Sequence, residues 1–504
     1  MNLEKLEIIL RDEWLAYETR ELVRLFVEQH RFQITIDPAA HIHSPVTLPG
    51  LVCDCDQRDD RDFCTLQLKT ERKDKAIVIQ LPNIWHQNAS HRREVKRRYK
   101  VALYGLMQQM YPAALPWGIL TGVRPVKLAH QLMQVENDSQ KVVERLEHDY
   151  LVSPSKARLL AEITAVQAPL LSSVKPRQVS VYIGIPLCPS RCSYCSFISQ
   201  AVRGADDPLI GAYGEALQKE LQGALAWLQE TNREIDTLYI GGGTPSVLSA
   251  GQMEDLLKTL STHWDLSQIR EITFEAGRPD TLDREKLQIL RRYPVHRLSI
   301  NPQSLQPETL VRINRCHTVE QFYEAWHLAK EMGFETLNLD LIIGLPGENE
   351  QHVLKTLTEL ESLQPDNLTV HALALKRSSE LKTSAAGQSL QDEAAQELME
   401  QVYRFTEKLG LRPYYLYRQK EMAGHLENVG FSHPGKEGLY NVLMMEEKQT
   451  IMGIGAGAVS KLYHADTDRI QRLPQIKDVP LYIQRMKDHG FARQMWQEAF
   501  AQKE

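Results

Sequence analysis

From about residue 176 the chain alternates between two hydrophobic rhythms. Short, largely β-branched apolar runs recur at Val179–Ile185, Thr237–Ile240, Ile272–Glu275, Arg297–Ile300, Thr336–Ile343 and Leu368–Leu373. Runs of this length without polar alternation read as strands buried on both faces. Between them apolar residues return every three or four positions over Leu209–Gln229, Gly251–Thr262, Asp283–Arg292, Val319–Met332 and Glu350–Leu363. That is the spacing of helices with one buried face. Strand–helix alternation of this kind predicts a parallel sheet with right-handed crossovers. The expected fold is α/β, an open six-stranded (β/α)6 partial barrel, with functional groups at the C-terminal ends of its strands.

The flanks follow other rhythms. Residues 1–175 predict an α+β domain of unknown role. Its helix is expected over Glu13–Glu28, its strands near Phe32–Ile36, Cys64–Leu68 and Ala76–Gln80, and a long helix opens on the basic stretch His91–Lys100. Lys175-Pro-Arg marks a boundary, and the barrel is expected over 176–384. Residues 385–504 predict a mostly helical C-terminal domain that covers the substrate. A long helix near Asp392–Leu409 is followed by Tyr414, Tyr415, Tyr417 and Arg418, and a last helix is expected over Leu481–Gln502.

Composition narrows the class. A chain of 504 residues exceeds one ordinary domain. Its apolar share of 42% and charged share of 25% are those of a globular protein. The net charge of −6 argues against a general nucleic-acid binder. No apolar run approaches the ~20 residues of a membrane helix, and the charged N-terminus lacks a signal peptide's apolar core. The seven cysteines form no disulfide framework, so a cytoplasmic protein, taken as a monomer, is expected.

Three cysteines carry the strongest chemical signal. The first barrel strand runs into Pro186-Leu-Cys188-Pro-Ser-Arg-Cys192-Ser-Tyr-Cys195, a C-x3-C-x2-C spacing. The prolines force a loop, which lets three thiolates converge. Iron–sulfur clusters are held by cysteines spaced in this way, and three ligands on a four-iron cube leave one iron open. A structural zinc site needs four closed ligands, and no second pair follows. Cys53-Asp-Cys55 with Cys64 is a weaker signal, read as thiols under a small domain or as a second metal site. Arg124 and Lys127, in the turn-rich loop from Trp117, are candidate anion ligands or packing elements.

The remaining candidates follow successive strands. Gly241-Gly-Gly-Thr244 allows close backbone approach to a ligand. Glu275 can accept hydrogen bonds from an ammonium or from ribose hydroxyls. Gln303 follows the fourth strand, and Asn314-Arg315 lies on the next connection. Asp340 interrupts the apolar fifth strand, where an unpaired charge is expensive, and Arg315 is its expected partner.

The cysteine spacing resembles that of the radical S-adenosylmethionine (SAM) enzymes. The whole set resembles one family within them, the oxygen-independent coproporphyrinogen III dehydrogenases of haem synthesis. The resemblance runs from about 178 to 461 and ends in Gly453-Ile-Gly-Ala-Gly-Ala458. The N-terminal extension and Tyr440-Asn441…Met445-Glu446-Glu447 look most like its HemZ-type branch. The resemblance implies a 4Fe-4S cluster on Cys188, Cys192 and Cys195. It implies SAM held by Tyr182, Gly242, Gly243, Thr244 and Glu275, with Tyr194 between the last two cysteines. Gln303, Arg315 and Asp340 would hold a second SAM. The implied partners are a porphyrinogen substrate and a low-potential electron donor, and the implied reaction is oxidative decarboxylation of coproporphyrinogen III to protoporphyrinogen IX. Phe197 stands where the dehydrogenases carry a fourth cysteine, a form shared with related haem chaperones. Those chaperones read His-Asn-x-x-Tyr-Trp where this chain reads Tyr440-Asn-Val-Leu-Met-Met445. The enzyme is therefore the expected reading and a haem-binding chaperone the alternative.

Overall fold

The computed structural model describes residues 6–41, 44–45, 50–58, 61–69, 75–81, 89–197, 199–204, 206–374, 392–419, 422–488, 491 and 496–498. The chain divides into two compact units, 1–161 and 162–504. The division falls within a helix, ahead of the boundary expected at Lys175.

The first unit is built on a five-stranded mixed sheet, ordered β2-β1-β3-β4-β5. Its strands are β1 (Leu6–Leu10), β2 (Phe32–Ile36), β3 (Gly50–Arg58), β4 (Arg61–Lys69) and β5 (Lys75–Leu81), with helices α1 (Ala16–Val23) and α2 (Ala89–Met110). Then follow α3 (Pro125–Glu136), α4 (Ser139–Tyr150) and α5 (Pro154–Ser172), which crosses the division. The helix expected over Glu13–Glu28 is shorter, because a 3-10 turn at Glu13–Leu15 precedes α1. Cys53, Cys55 and Cys64 belong to this unit's core, with Cys55 opposite Cys64 across β3 and β4. Burial pushes the Cys53 thiol up, and Tyr99 Oη lies 3.4 Å from it. The basic opening of α2 is ion-paired within the unit. Lys96 meets Glu18 at 2.9 Å, and Arg97 and Arg98 share Glu94 at 2.7 and 2.8 Å. In the turn-rich loop, Trp117 and Ile119 are buried.

The second unit carries the barrel. Its strands are β6 (Gln178–Ile185), the two-residue pair β7 (Leu187–Cys188) and β8 (Gln200–Ala201), then β9 (Glu234–Gly242), β10 (Glu271–Glu275), β11 (Arg297–Ser299), β12 (Thr336–Ile343) and β13 (Asn367–Ala372). The connecting helices are α6 (Pro208–Glu230), α7 (Ala250–His263), α8 (Arg284–Arg292), α9 (Pro307–Arg312), α10 (Val319–Glu331) and α11 (Glu350–Glu361). Capping boxes start α7 at Ser249/Gln252 and α10 at Thr318/Gln321, satisfying N–H groups that a helix end leaves open. All six expected strands form, and β6-β9-β10-β11-β12-β13 are parallel neighbours.

The sheet continues past both edges of this set. α12 (Asp392–Lys408) leads to β14 (Arg412–Tyr417) and β15 (Asn428–Ser432), which extend it antiparallel beyond β13. After α13 (Leu439–Glu446), β16 (Thr450–Ile454) pairs parallel with β6, and β17 (Val459–His464) and β18 (Arg469–Pro474) follow before α14 (Val479–Arg485). The open sheet thus has eleven strands, seven of them forming the parallel run from β13 to β16. The C-terminal stretch holds these strands beside its helices and is continuous with the barrel sheet. Its hydrogen-bonding partners lie up to hundreds of residues back in the chain, so local periodicity did not reveal them. The boundary expected near 385 and much of the last helix expected over Leu481–Gln502 lie outside the described residues. No helix among the described residues is long and apolar enough to cross a membrane.

Candidate active site

The strand ends place the candidate residues. Along β6, β9, β10, β12, β13 and β14 most positions are buried, but one or two on each, in the middle of the strand or toward its C-terminal end, are only half-buried. These are Tyr182, Tyr239 with Gly242, Glu275, Asn338 with Asp340, His371, and Tyr417. Neighbouring strands therefore expose polar and aromatic groups to a shared space at the end where such barrels carry their sites.

On one side lies the cysteine loop. Pro186 ends β6, and the chain is tied back by Val202 N–H donating to Cys188 C=O at 2.9 Å and Cys195 N–H to Cys192 C=O at 3.0 Å. Arg278, paired with Asp280 at 2.9 Å, donates to Ser190 Oγ at 2.9 Å. The Asn314-Arg315 turn grips the loop from below. Asn314 Nδ2 donates to Arg191 C=O at 2.8 Å, and Ser193 N–H donates to Ile313 C=O at 3.0 Å. The glycine loop packs against the first thiol, with Thr244 Oγ1 3.5 Å from Cys188 Sγ. A Cβ on Gly243 would lie 2.9 Å from that sulfur and 2.7 Å from Leu187 O, so only glycine fits. Gly242 has φ +112°, a conformation that also favours glycine.

Next to the loop stand Tyr182 and Tyr239, cross-strand partners on β6 and β9 whose rings stack at 6.1 Å. Tyr440 stacks on Tyr239 at 4.5 Å. Tyr239 Oη donates to Glu275 Oε2 at 3.1 Å. Burial, with the nearby Asp340 carboxylate adding to it, pushes the Glu275 carboxyl up to about 7.

Gln303 and Asp340 are also brought together, whereas Arg315 takes other partners than the one expected from sequence. Arg315 does not bond to Asp340. Its guanidinium donates to Gly277 C=O at 2.7 Å, to Asn301 C=O and to Tyr194 Oη at 3.2 Å, and it lies 4.0 Å from Cys192 Sγ. Its place on the connection after α9 turns it toward the cysteine loop and two backbone carbonyls. Asp340 instead accepts from Asn338 Nδ2 at 2.9 Å and faces His371 Nε2 at 3.7 Å. Gln303 is tied to the same strand through backbone bonds, its N–H to Asp340 C=O and Ile342 N–H to its own C=O, both 3.0 Å. It holds φ +66°, a strained value for a residue with a side chain.

The arrangement fits a cluster and an organic ligand. Among the described residues no three His, Cys, Asp or Glu side chains are set to hold a single metal ion, the loop cysteines included. The donor set is three free thiols on one loop beside a cradle that a Cβ would fill. Gln303 Oε1 and Arg315 Nε are buried without a partner, as groups that await a ligand would be. Cys188, Cys192 and Cys195 would hold the cluster, and the glycine loop with Glu275 would meet the ligand's polar end.

Sequence reasoning missed His371 and did not single out Tyr239 or Arg278. A polar residue at an inner position of an apolar strand marks the first two, as it marked Asp340. Arg278 had no local signal, since its role depends on a loop 88 residues away.

Comparison with known proteins places this arrangement. The model of the Radical SAM superfamily matches residues 182–360. The oxygen-independent coproporphyrinogen-III oxidase-like protein HemZ of Bacillus subtilis (strain 168) is 42% identical over 406 residues, 79% of this chain and 80% of that protein. The heme chaperone HemW of Escherichia coli (strain K12) is 32% identical over 296 residues, 58% of this chain and 72% of that protein. The solved structure of coproporphyrinogen III oxidase HemN from Escherichia coli aligns with a TM-score of 0.52 at 22% identity, covering 65% of this chain and 73% of that one, a likeness of fold. The cofactors of the superfamily are a 4Fe-4S cluster and SAM. With its cysteine loop, glycine cradle and parallel barrel, the chain belongs to the radical SAM superfamily, in the group of the oxygen-independent coproporphyrinogen-III oxidase-like protein HemZ.

Proposed function

We propose that this protein catalyses the oxidative decarboxylation of propionate side chains on a reduced tetrapyrrole, converting coproporphyrinogen III to protoporphyrinogen IX. When bound, the cluster and SAM supply a one-electron cleavage of the sulfonium and an acceptor for a hydrogen atom. Each reacting propionate then gives up a β-hydrogen, carbon dioxide and one electron, the last to an external acceptor, and becomes a vinyl group.

The chain's own residues bind and orient. Glu275, as a carboxylate, accepts from the ammonium or ribose of SAM, and Tyr239 holds it in place. Tyr182 closes the same ligand's flank through its stack with Tyr239 and Tyr440. Gln303 and Arg315 offer their unpartnered atoms to a second ligand, with Asp340 on the adjoining strand. The single observation that carries the reading is that Gln303 Oε1 and Arg315 Nε are buried without a partner. Two propionates must react, and two sets of ligand groups at one barrel mouth suit that demand.

The second reading is a haem chaperone. It is favoured by the identity to HemW and by Phe197, which is exposed on the cysteine loop. Against it stands Tyr440, packed on Tyr239 in the stretch where a haem-binding histidine would be sought. The test is anaerobic incubation of the cluster-loaded protein with SAM, a one-electron reductant and coproporphyrinogen III, read by product mass. Loss of two carboxyl groups supports the enzyme, and unchanged substrate with SAM cleaved speaks against it.

A further inference from the structure

Three side chains from three strands form a file across the barrel mouth, joined by one charge-pair contact and one hydrogen bond. Asp340 on β12 faces His371 on β13, with Oδ2 and Nε2 3.7 Å apart. His371 Nδ1 in turn lies 3.2 Å from Tyr417 Oη on β14. The Tyr417 ring is steadied by Tyr415, stacked at 6.4 Å and 12°. All three file members are half-buried on strands whose other residues are mostly buried, so they border the ligand space.

None of the half-buried inner positions on these strands is a lysine or arginine; they are Tyr182, Tyr239, Glu275, Asn338, Asp340, His371 and Tyr417. At these positions a carboxylate meets two acidic groups, and the donors they offer are phenols, an amide and imidazole. Tyr239 already donates to Glu275, and Asn338 Nδ2 donates to Asp340 and Ser299. Tyr417 is the phenol whose partner can turn its proton outward. In the tautomer that carries the proton on Nδ1, His371 donates to Tyr417 Oη. The phenol O–H is then released to an acceptor in the mouth. The charged and titratable groups facing the imidazole are Asp340 on β12, Tyr417 on β14 and, farther off on β10, Glu275.

We propose that Tyr417 recognises a carboxylate of the bound ligand and that His371, braced by Asp340, orients its hydroxyl. The ligand class rests on the tetrapyrrole reading above, and Tyr417 becomes the residue that distinguishes a side-chain acid from its neutral equivalent. His371 is a positioning residue that acts through it.

The test uses coproporphyrin III and its tetramethyl ester as stable probes, bound to the full chain with its cluster and followed by quenching of protein fluorescence. Wild type should prefer the acid to the ester by about tenfold or more, as one charge-assisted hydrogen bond allows. Tyr417→Phe keeps the ring stack, so its ester affinity should stay unchanged while the preference for the acid falls about tenfold. His371→Gln should lower the preference in the same direction. A preference for the acid that survives in Tyr417→Phe overturns the inference while leaving the tetrapyrrole reading intact. Survival of the full preference in His371→Gln removes His371 from the orienting role. Failure of wild type to bind either probe overturns the tetrapyrrole reading and this inference with it.

Discussion

Burial holds the Glu275 proton to about 7 in the folded chain, whereas an unfolded glutamate loses it near ~4.3. The raised group favours folding fully below the lower value, and that contribution is lost as pH rises through about 7. Ligand binding pulls the other way, because an ammonium needs the carboxylate. SAM affinity of wild type should therefore rise from about pH 6 to about pH 8, with proton release on binding. Glu275→Gln should bind weakly with little pH dependence, and calorimetric titration checks both. A wild-type affinity independent of pH would separate Glu275 from the ammonium. Arg315 supports a second expectation at this scale. Its guanidinium satisfies the Gly277 and Asn301 carbonyls and Tyr194, so Arg315→Ala should lower unfolding stability by about 2–4 kcal/mol in denaturant titration. Because Arg315 does not contact Asp340, Arg315→Ala and Asp340→Asn should show little coupling in a double-mutant cycle of stability.

Among elements, the cysteine loop is held by the glycine loop, by Arg278 and by the Asn314 turn. Gly243 N–H and Thr244 N–H bond to Ile185 and Leu187 carbonyls at 2.9 and 2.8 Å, which fixes the glycine loop against Cys188. Gly243→Ala would push its Cβ into Leu187 O and Cys188 Sγ. Reconstituted iron should fall well below the about four per cluster expected of wild type, and metal analysis reads it. Cys188→Ala, Cys192→Ala and Cys195→Ala should lose the cluster absorption, whereas Cys53→Ala, Cys55→Ala and Cys316→Ala should keep it. Iron lost from Cys53→Ala would give the N-terminal thiols a role beyond their core packing. The barrel strands and this loop were legible in the sequence because apolar runs and cysteine spacing are local signals. The strands β14 to β18 were not: β17 and β18 close on each other as a hairpin, but β15 and β16 join the barrel sheet through partners fixed only by the fold, Thr450–Ile454 lying against Val179–Ile183. For the same reason Asp340 was recognised as a buried charge but given the wrong partner. Its strand neighbour His371 sits four residues into an otherwise apolar run, 31 positions away in sequence.

For the whole molecule the question is whether the barrel mouth performs chemistry or carries a cargo. The family relation joins it to proteins described as oxidase-like and as heme chaperones. On the proposed reading two sets of ligand groups stand at one barrel mouth, with Tyr417 beside them. A carrier has no need of the second set. The most direct measurement is release of labelled carbon dioxide from coproporphyrinogen III bearing carboxyl label on its propionates, counted against 5′-deoxyadenosine in the same anaerobic reaction. The enzyme reading expects one labelled carbon dioxide for each deoxyadenosine and a divinyl product. Deoxyadenosine formed with no labelled gas, in a preparation that binds haem stoichiometrically, would contradict it.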